Sequence, residues 1–272
     1  MTEFPKTSLL ISTYNWPRAL ELCLKSVFYQ IHMPDEILIA DDGSTKDTKE
    51  LIDSYRPLIN VPIKHIWHED QGFRKTLILN EAIRQGSHEY IIQTDGDIIL
   101  HPNFIMDHLI NSRAGFFVRG SRALISPKKT ARLIEAKNNH IDWNDNGIEN
   151  KFNAFRDSWL SSVFTLFNNK YSIEGVKGCN FSFWKKDFIN VNGFNNDFVG
   201  WGREDSELAV RLINNGIFKI HLKFKAICFH LHHEIFSRER DEKNLQMLAE
   251  AMRNKIKFAP NGYTQVHPHK LL

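Results

Sequence analysis

Cysteine is scarce in this chain of 272 residues, and the three present, Cys23, Cys179 and Cys228, lie far apart. An odd count without metal-ligand spacing argues against a disulfide framework and suits a reducing compartment. The chain does not open on a charged-then-apolar signal pattern, and no apolar run approaches the length of a membrane span. The expectation is therefore a soluble, cytoplasmic protein. An excess of charge of one sign is missing too: 35 Lys and Arg stand against 32 Asp and Glu, a formal net charge of +3. That balance demands no nucleic-acid partner, although it is compatible with a polyanionic ligand or an anionic membrane surface. Internal repeats and low-complexity stretches are absent. Nor does a glycine-rich dinucleotide fingerprint or a phosphate-binding P-loop follow the first apolar run, so ordinary Rossmann and P-loop readings lose support.

What is present is ample for a folded core. Apolar residues make up 42% and charged residues 25% of the chain, which are ordinary values for a globular protein. The length fits one large domain, or one domain with an appended subdomain. Twenty Phe and six Trp supply core aromatics, with some to spare as flat apolar platforms for a ligand.

Short apolar runs alternate with helical periodicity over the first hundred residues. Strands are predicted at Thr7 to Thr13, Glu36 to Ala40, Ile63 to Trp67 and from Glu89 through Ile92. Helices are predicted from Arg18, with Pro17 in the first turn, around Leu51 and Ile52, and through Leu77, Leu79, Ala82 and Ile83. This order predicts a mainly parallel, doubly wound α/β sheet. Further on, a helix over Phe104 to Ile110, a strand at Phe116 to Val118 and an alternating strand at the end of Gly175–Trp184 are expected. A helix opening at Arg203-Glu204-Asp205 and stopping at Gly216 follows. Strands at Ile217 to Leu222 and Ala226 to Phe229 precede a charged helix from Ser237 to Lys257. Residues 126–170 show little periodicity and read as an insertion over the sheet edge, either a lid on the acceptor side or plain packing. The tail from Pro260 reads as weakly structured. Its Lys257, Lys270 and histidines offer a peripheral membrane contact, against the simpler reading of a solvated tail.

Three of the first four strands end in polar or acidic residues: Ser12-Thr-Tyr-Asn15, Asp41-Asp42 and Asp95-Gly-Asp97. By itself Asp-Gly is a common hairpin signal and favours a turn. However, right-handed crossovers put all these strand ends on one edge, where open α/β sheets bind ligands. Paired hard oxygen donors there suit Mg²⁺ or Mn²⁺ holding a diphosphate. The histidines of His230-Leu-His-His233 stand at a strand end, a place for metal ligands. Carboxylates in a helical first turn, such as Glu204-Asp205, are ordinary dipole-matching residues, but these two follow the mobile-looking loop Gly200-Trp-Gly202.

Taken together, Ser12-Thr-Tyr-Asn15, Asp41-Asp-Gly-Ser44, Gln71-Gly-Phe-Arg74, Asp95-Gly-Asp97, Gly178-Cys-Asn-Phe-Ser182, Gly193-Phe194, Gly200-Trp-Gly-Arg-Glu-Asp-Ser-Glu207 and His230-Leu-His-His233 resemble the family 2 inverting glycosyltransferases of GT-A fold. More narrowly, they resemble the branch whose C-terminal segment is like that of β-1,4-galactosyltransferases and chondroitin polymerases. The resemblance covers about residues 6 to 235 and is weakest over 126–170. It implies a GT-A domain over 1–236, with a donor half at about 1–120 and an acceptor half at about 171–236, followed by a C-terminal helix and tail at 237–272. It also implies a nucleotide-diphosphate sugar donor, usually a UDP-sugar, a divalent metal, Mn²⁺ or Mg²⁺, and a glycan or lipid-linked glycan acceptor in surface polysaccharide or lipopolysaccharide synthesis. Residue by residue, the resemblance puts Ser12, Tyr14 and Asp41 at the base, Arg74 near the diphosphate and Asp95 on the ribose or sugar side. It makes Asp97 and His230 metal ligands, with His233 a second histidine candidate. Asp205 becomes the catalytic base and Glu204 its partner in orienting the acceptor, while Trp201 and Asn180 shape the acceptor pocket.

Two departures stand out. Leu79 precedes Asn80 where relatives often carry Arg, leaving Arg74 and Lys75 as substitutes for that cation. Arg203 stands where many relatives have Gly. Two other classes remain for comparison. A sugar-phosphate nucleotidyltransferase would carry a glycine-rich basic loop after the first strand, where this chain has Tyr14-Asn-Trp-Pro17. A non-catalytic sugar-binding subunit would lack carboxylates that are all present here.

Overall fold

A computed structural model describes residues 3–234 and 240–266. The alternation of the first hundred residues appears as β1 (Thr7–Thr13), α1 (Pro17–Val27), β2 (Glu36–Asp41), α2 (Lys46–Tyr55), β3 (Ile63–Trp67), α3 (Lys75–Gln85) and β4 (Tyr90–Asp95). There follow β5 (Ile98–Leu100), α4 (Phe104–Ile110), β6 (Phe116–Arg119), β7 (Ser121–Ile125), α5 (Pro127–Glu135), β8 (Ile148–Glu149) and α6 (Ser158–Leu166). The chain continues through β9 (Phe181–Trp184), α7 (Lys185–Asn190), α8 (Glu204–Asn214), β10 (Phe218–His221), β11 (Ile227–His230) and α9 (Asp241–Arg253).

The larger sheet runs β10-β6-β9-β4-β1-β2-β3. β1 to β4 are mutually parallel, as are β6 and β10, and β9 alone runs antiparallel between β4 and β6. Every residue of β1 and β2 is buried, as expected for parallel strands covered on both faces. Alternation then sorts the side chains. Leu9 and Ile11 face a cluster with α1, α2 and α4. Leu10, Leu38 and Ile91 face a second cluster built on α3, α7 and α8. The ends of β1, β2 and β4 and the start of antiparallel β9 meet at one edge of the sheet, because Gln93 near the end of β4 pairs with Phe181 at the start of β9.

A second sheet, β5-β11-β7-β8, lies beyond that edge over its own core of Ile99, Ala123, Ile125, Ile227 and Phe229. The sequence pattern does not reveal it, since β5 is three residues and β8 two. The 126–170 segment is ordered around it: α5 is capped by Ser126, whose Oγ accepts from the Lys129 amide, and α6 by Asp157 accepting from the Leu160 amide. Part of the tail also packs, contrary to the weakly structured reading. Ala259 is fully buried, and the Asn192 side chain binds the Ala259 carbonyl, the Gln265 side chain and the Thr264 amide. The start of the predicted C-terminal helix at Ser237 and the tail around Lys270 lie outside the described residues. Among the described residues no helix is long and apolar enough to cross a membrane.

Candidate active site

The strand ends open into a cleft of about 780 Å³, lined by residues of β1, β4, β7 and α8 and the loops between them. At its centre is Asp95-Gly96-Asp97. Gly96 donates its amide to the Ser12 carbonyl at 2.7 Å, and a Cβ here would lie 3.1–3.3 Å from the Thr13 side chain and the Ser12 carbonyl oxygen. The turn is thus pressed against β1, which is why the residue between the two carboxylates is glycine. Asp95 Oδ1 accepts from Ser12 Oγ at 2.5 Å and from Lys75 Nζ at 2.8 Å. Burial alone would raise the Asp95 carboxyl, yet Lys75 and Ser12 outweigh it and hold it below the usual carboxylate range.

Asp97 leads into β5, and β5 pairs antiparallel with β11, setting Ile98 opposite His230. This pairing delivers the two histidines. Asp97 Oδ2 lies 3.5 Å from His230 Nε2 and 3.3 Å from His233 Nε2, and one ligand atom from each of the three falls within 4.8 Å of the others. Neighbouring donors around a cation with bonds of about 2.1 Å are about 3 Å apart, so the spacing fits a single divalent ion. Asp97 Oδ1 is buried without a hydrogen-bond partner, an orphan acceptor that a cation would satisfy. Burial holds His230 below its ordinary value in spite of Asp97, in the neutral form that a ligand needs. His233, hydrogen-bonded to Asp97, is raised, and the edge of Trp16 packs against its ring at 6.0 Å.

Across the cleft α8 begins with Glu204 and Asp205. Asp205 Oδ2 accepts from the Gly178 amide at 2.8 Å, and its Oδ1 from the Ser206 amide at 2.6 Å. Both bonds fix the carboxylate's orientation. The Glu204 carboxyl is pushed up to about 7, by burial first and by the neighbouring Asp205 second, against the pull of Lys75. Lys75 itself is raised: burial opposes this, but Asp95, Glu204 and Asp205 all favour its charge. One ammonium thus serves three carboxylates. Trp201 stands in the cleft wall between Gly200 and Gly202, whose φ values are +82° and +103°. Arg203 continues the left-handed run at +78°, a conformation that glycine adopts more easily. Its guanidinium pairs with Asp241 of α9 at 3.1 Å, which offsets part of that cost.

Ser12, Tyr14, Asp95, Asp97, Trp201, Glu204, Asp205 and His230 therefore come together. Three sequence-predicted residues do not. Asp41 is fully buried, accepting from the Ser44 amide and pairing with His65 Nε2 at 2.8 Å; its neighbour Asp42, held by His68 and the Arg74 amide, lines the cleft instead. One residue of register along a strand reverses the face, and the sequence pair offered no way to choose. Arg74 turns its guanidinium to the Glu69 carbonyl at 2.5 Å, away from the cleft, and Lys75 occupies the place foreseen for it. Asn180 is buried with its amide spent on the Ser121 and Ala226 carbonyls, the Gly120 amide and His108, so it ties the two sheets together rather than facing an acceptor. Arg122 lines the cleft without having been anticipated. The alternating run Ser121–Ile125 is the signal that would have found it.

A parallel half, an antiparallel return strand and a small second sheet carrying histidines opposite an acidic turn define a GT-A fold. The chain belongs to glycosyl transferase family 2, whose profile matches residues 8–161, and a second profile, the N-terminal domain of galactosyltransferase, matches residues 159–234. It is 24% identical over 231 residues to the chondroitin synthase of Escherichia coli, covering 78% of this chain and 32% of that protein. It is 28% identical over 224 residues to the validoxylamine A glucosyltransferase of Streptomyces hygroscopicus subsp. limoneus, covering 78% and 49%. Identity to the GalNAc(5)-diNAcBac-PP-undecaprenol beta-1,3-glucosyltransferase of Campylobacter jejuni is 23% over 222 residues, covering 81% and 64%. The chain thus spans between about a third and two thirds of these relatives' lengths. Among solved structures, the mannosyltransferase PcManGT from Pyrobaculum calidifontis in complex with GDP-Man and Mn²⁺ shares the fold with a TM-score of 0.63 at 18% identity, over 93% of this chain and 65% of that one.

Proposed function

We propose that this chain is a metal-dependent inverting glycosyltransferase that moves a sugar from a nucleotide-diphosphate sugar, a UDP-sugar, to a hydroxyl of a glycan or lipid-linked glycan in surface polysaccharide or lipopolysaccharide synthesis. The observation that carries the reading is the opposition, across one cleft, of the Asp97–His230–His233 cluster and the oriented Asp205 carboxylate. In this reading Asp97, His230 and His233 hold a divalent ion, Mn²⁺ or Mg²⁺. When bound, it neutralises charge developing on the leaving diphosphate.

The protein's own groups do the rest. Ser12, Tyr14 and Asp42 form the base side of the donor pocket, with Asp42 taking the place first given to Asp41. Lys75 and Arg122 put fixed positive charge on the donor side, and Asp95 meets the ribose or sugar hydroxyls. Asp205, its two oxygens aligned by the Gly178 and Ser206 amides, removes the proton from the attacking acceptor hydroxyl. Glu204 hydrogen-bonds the acceptor, and Trp201 gives its ring an apolar face.

A panel of nucleotide sugars incubated with Mn²⁺ and no acceptor tests this directly. Slow hydrolysis of one donor, dependent on the metal, is the expected result. Release of pyrophosphate from a nucleoside triphosphate and a sugar phosphate would replace the reading with a nucleotidyltransferase. Sugar binding without any metal-dependent turnover would point to a non-catalytic subunit.

A further inference from the structure

The segment 126–170, read from the sequence as a lid or as plain packing, presents large apolar side chains to solvent. From Ser158 to Asn169 there is no charged residue. α6 buries only Ser161, while Trp159, Leu166 and Phe167 are 72%, 83% and 85% exposed. The helix is not loose. Its N-terminus is capped by Asp157, Thr165 Oγ1 bonds the Ser161 carbonyl, and Phe164 packs edge-on against His221 and Phe224 at 5.5 and 6.3 Å. A rigid scaffold therefore presents large apolar side chains to solvent, which costs free energy unless something covers them.

The rim of this patch is cationic. Lys170 Nζ stands over the Tyr171 and Phe218 rings at 5.2 and 4.8 Å, and Lys223 Nζ over Phe224 at 5.5 Å. Arg119, half-buried, and Lys219, almost wholly buried, lie beside them. None of these four makes an ion pair with a carboxylate among the described residues; Lys219 and Arg119 reach only the Glu174 carbonyl, at 3.2 and 3.5 Å. Burial and Arg119 bring Lys219 down to about 8, and burial with Arg119, Lys219 and Lys223 brings His221 down to about 3.

We infer that the α6 face is a docking surface for an anionic lipid bilayer, with Trp159, Leu166 and Phe167 entering the headgroup–acyl boundary and Lys170, Lys223 and Arg119 meeting the lipid phosphates. Charge complementarity selects this occupant. Lysine is depleted in protein interfaces, and a second copy of the chain would set this cationic rim against another one, whereas aromatic side chains beside basic ones match an anionic membrane interface. Arg119 at the rim and Arg122 in the cleft are separated only by Gly120 and Ser121, so a bilayer held here lies on the side of the cleft where β7 opens. The inference does not depend on which sugar or acceptor the cleft takes.

The test is co-sedimentation of the full-length protein with vesicles of phosphatidylcholine alone and of phosphatidylcholine mixed with phosphatidylglycerol. Binding to the anionic vesicles, weakened by salt, is expected. The pair Trp159→Ser and Phe167→Ser should lower partitioning by more than about tenfold, as removing two buried apolar side chains predicts. Lys170→Gln and Lys223→Gln should each lower it about fivefold, on anionic vesicles only. Trp159, Phe167 and Lys170 are exposed and Lys223 is half-buried with its ammonium on Asn153 Oδ1, and unchanged thermal melts will show that the variants fold. Equal partitioning of the wild type and the Trp159/Phe167 variant overturns the inference, as does equal binding to neutral and anionic vesicles. A concentration-dependent dimer in ultracentrifugation that the same variant abolishes would assign the face to a second copy instead.

Discussion

Lys75 Nζ lies 2.8 Å from Asp95 Oδ1 and is the cation that Asp95, Glu204 and Asp205 share. It opens α3 one turn ahead of Leu79, which is fully buried. The helix therefore offers its positive charge to the cleft from position 75. Replacing it with Met leaves the shape of the side chain and removes the charge. Lys75→Met should weaken UDP binding at least tenfold by calorimetry, the order expected when a charged partner is lost from a partly buried network. Because Lys75 draws the Glu204 carboxyl down, its loss should also move the acid limb of the kcat/KM profile to higher pH. An unmoved limb would separate Lys75 from Glu204.

Glu204 binds a proton more tightly in the folded protein, at about 7, than at its ordinary value of 4.5. The stability linked to that proton is fully present below pH 4.5 and is lost as the pH rises through about 7. Glu204→Gln removes the buried charge that causes the loss. The variant should melt at a higher temperature than the wild type at pH 8 and at nearly the same temperature at pH 4.5, as calorimetric scans at the two values will show.

Asp205→Asn keeps the shape of the side chain while removing its basicity. Turnover should fall on the order of a hundredfold or more with UDP affinity nearly unchanged. If turnover is retained, the base lies elsewhere, and Glu204 is then the next residue to substitute.

Asp97→Ala and His233→Ala each remove one of three donors whose ligand atoms cluster within 4.8 Å. Each should abolish most of the difference in UDP affinity measured with and without Mn²⁺. His232→Ala is the control, since its ring is not part of the cluster. A His233→Ala protein with full metal dependence would leave Asp97 and His230 as the only ligands among the three.

The Glu207–Arg211 pair inside α8 is almost wholly buried and bidentate, at 2.7 and 2.6 Å, and Arg211 also bonds the Val191 carbonyl at 2.6 Å. Arg211→Met strands a carboxylate in the core and should cost about 3–5 kcal/mol in urea unfolding. The double variant Glu207→Leu/Arg211→Met should recover most of that loss, because the penalty belongs to the unpaired charge rather than to the missing bridge.

Much of this architecture is written locally. Apolar runs of strand length separated by helical periodicity set β1 to β4 and α1 to α3, because both signals depend on neighbours within a few residues. The carboxylates and histidines were legible for the same reason: they sit where those runs stop. The 126–170 segment was not legible, since its order comes from packing on distant Phe224 and His221.

The sequence by itself determined a parallel α/β sheet with acidic strand ends, and through its motifs the family. Only the tertiary structure decided which of those residues share a site. β5 is too short to signal itself, yet its pairing with β11 is what carries His230 and His233 from more than a hundred residues away to Asp97. Likewise, whether Asp41 or Asp42 faces the cleft depends on pleat and on the partners His65 and His68 contributed by and beyond β3. Long-range pairing selects one face and one register from alternatives that are equivalent along the chain, so no local pattern encodes the choice. Asp95-Gly96-Asp97 looks like a turn in isolation. The antiparallel neighbour across from it gives Asp97 the geometry of a metal site.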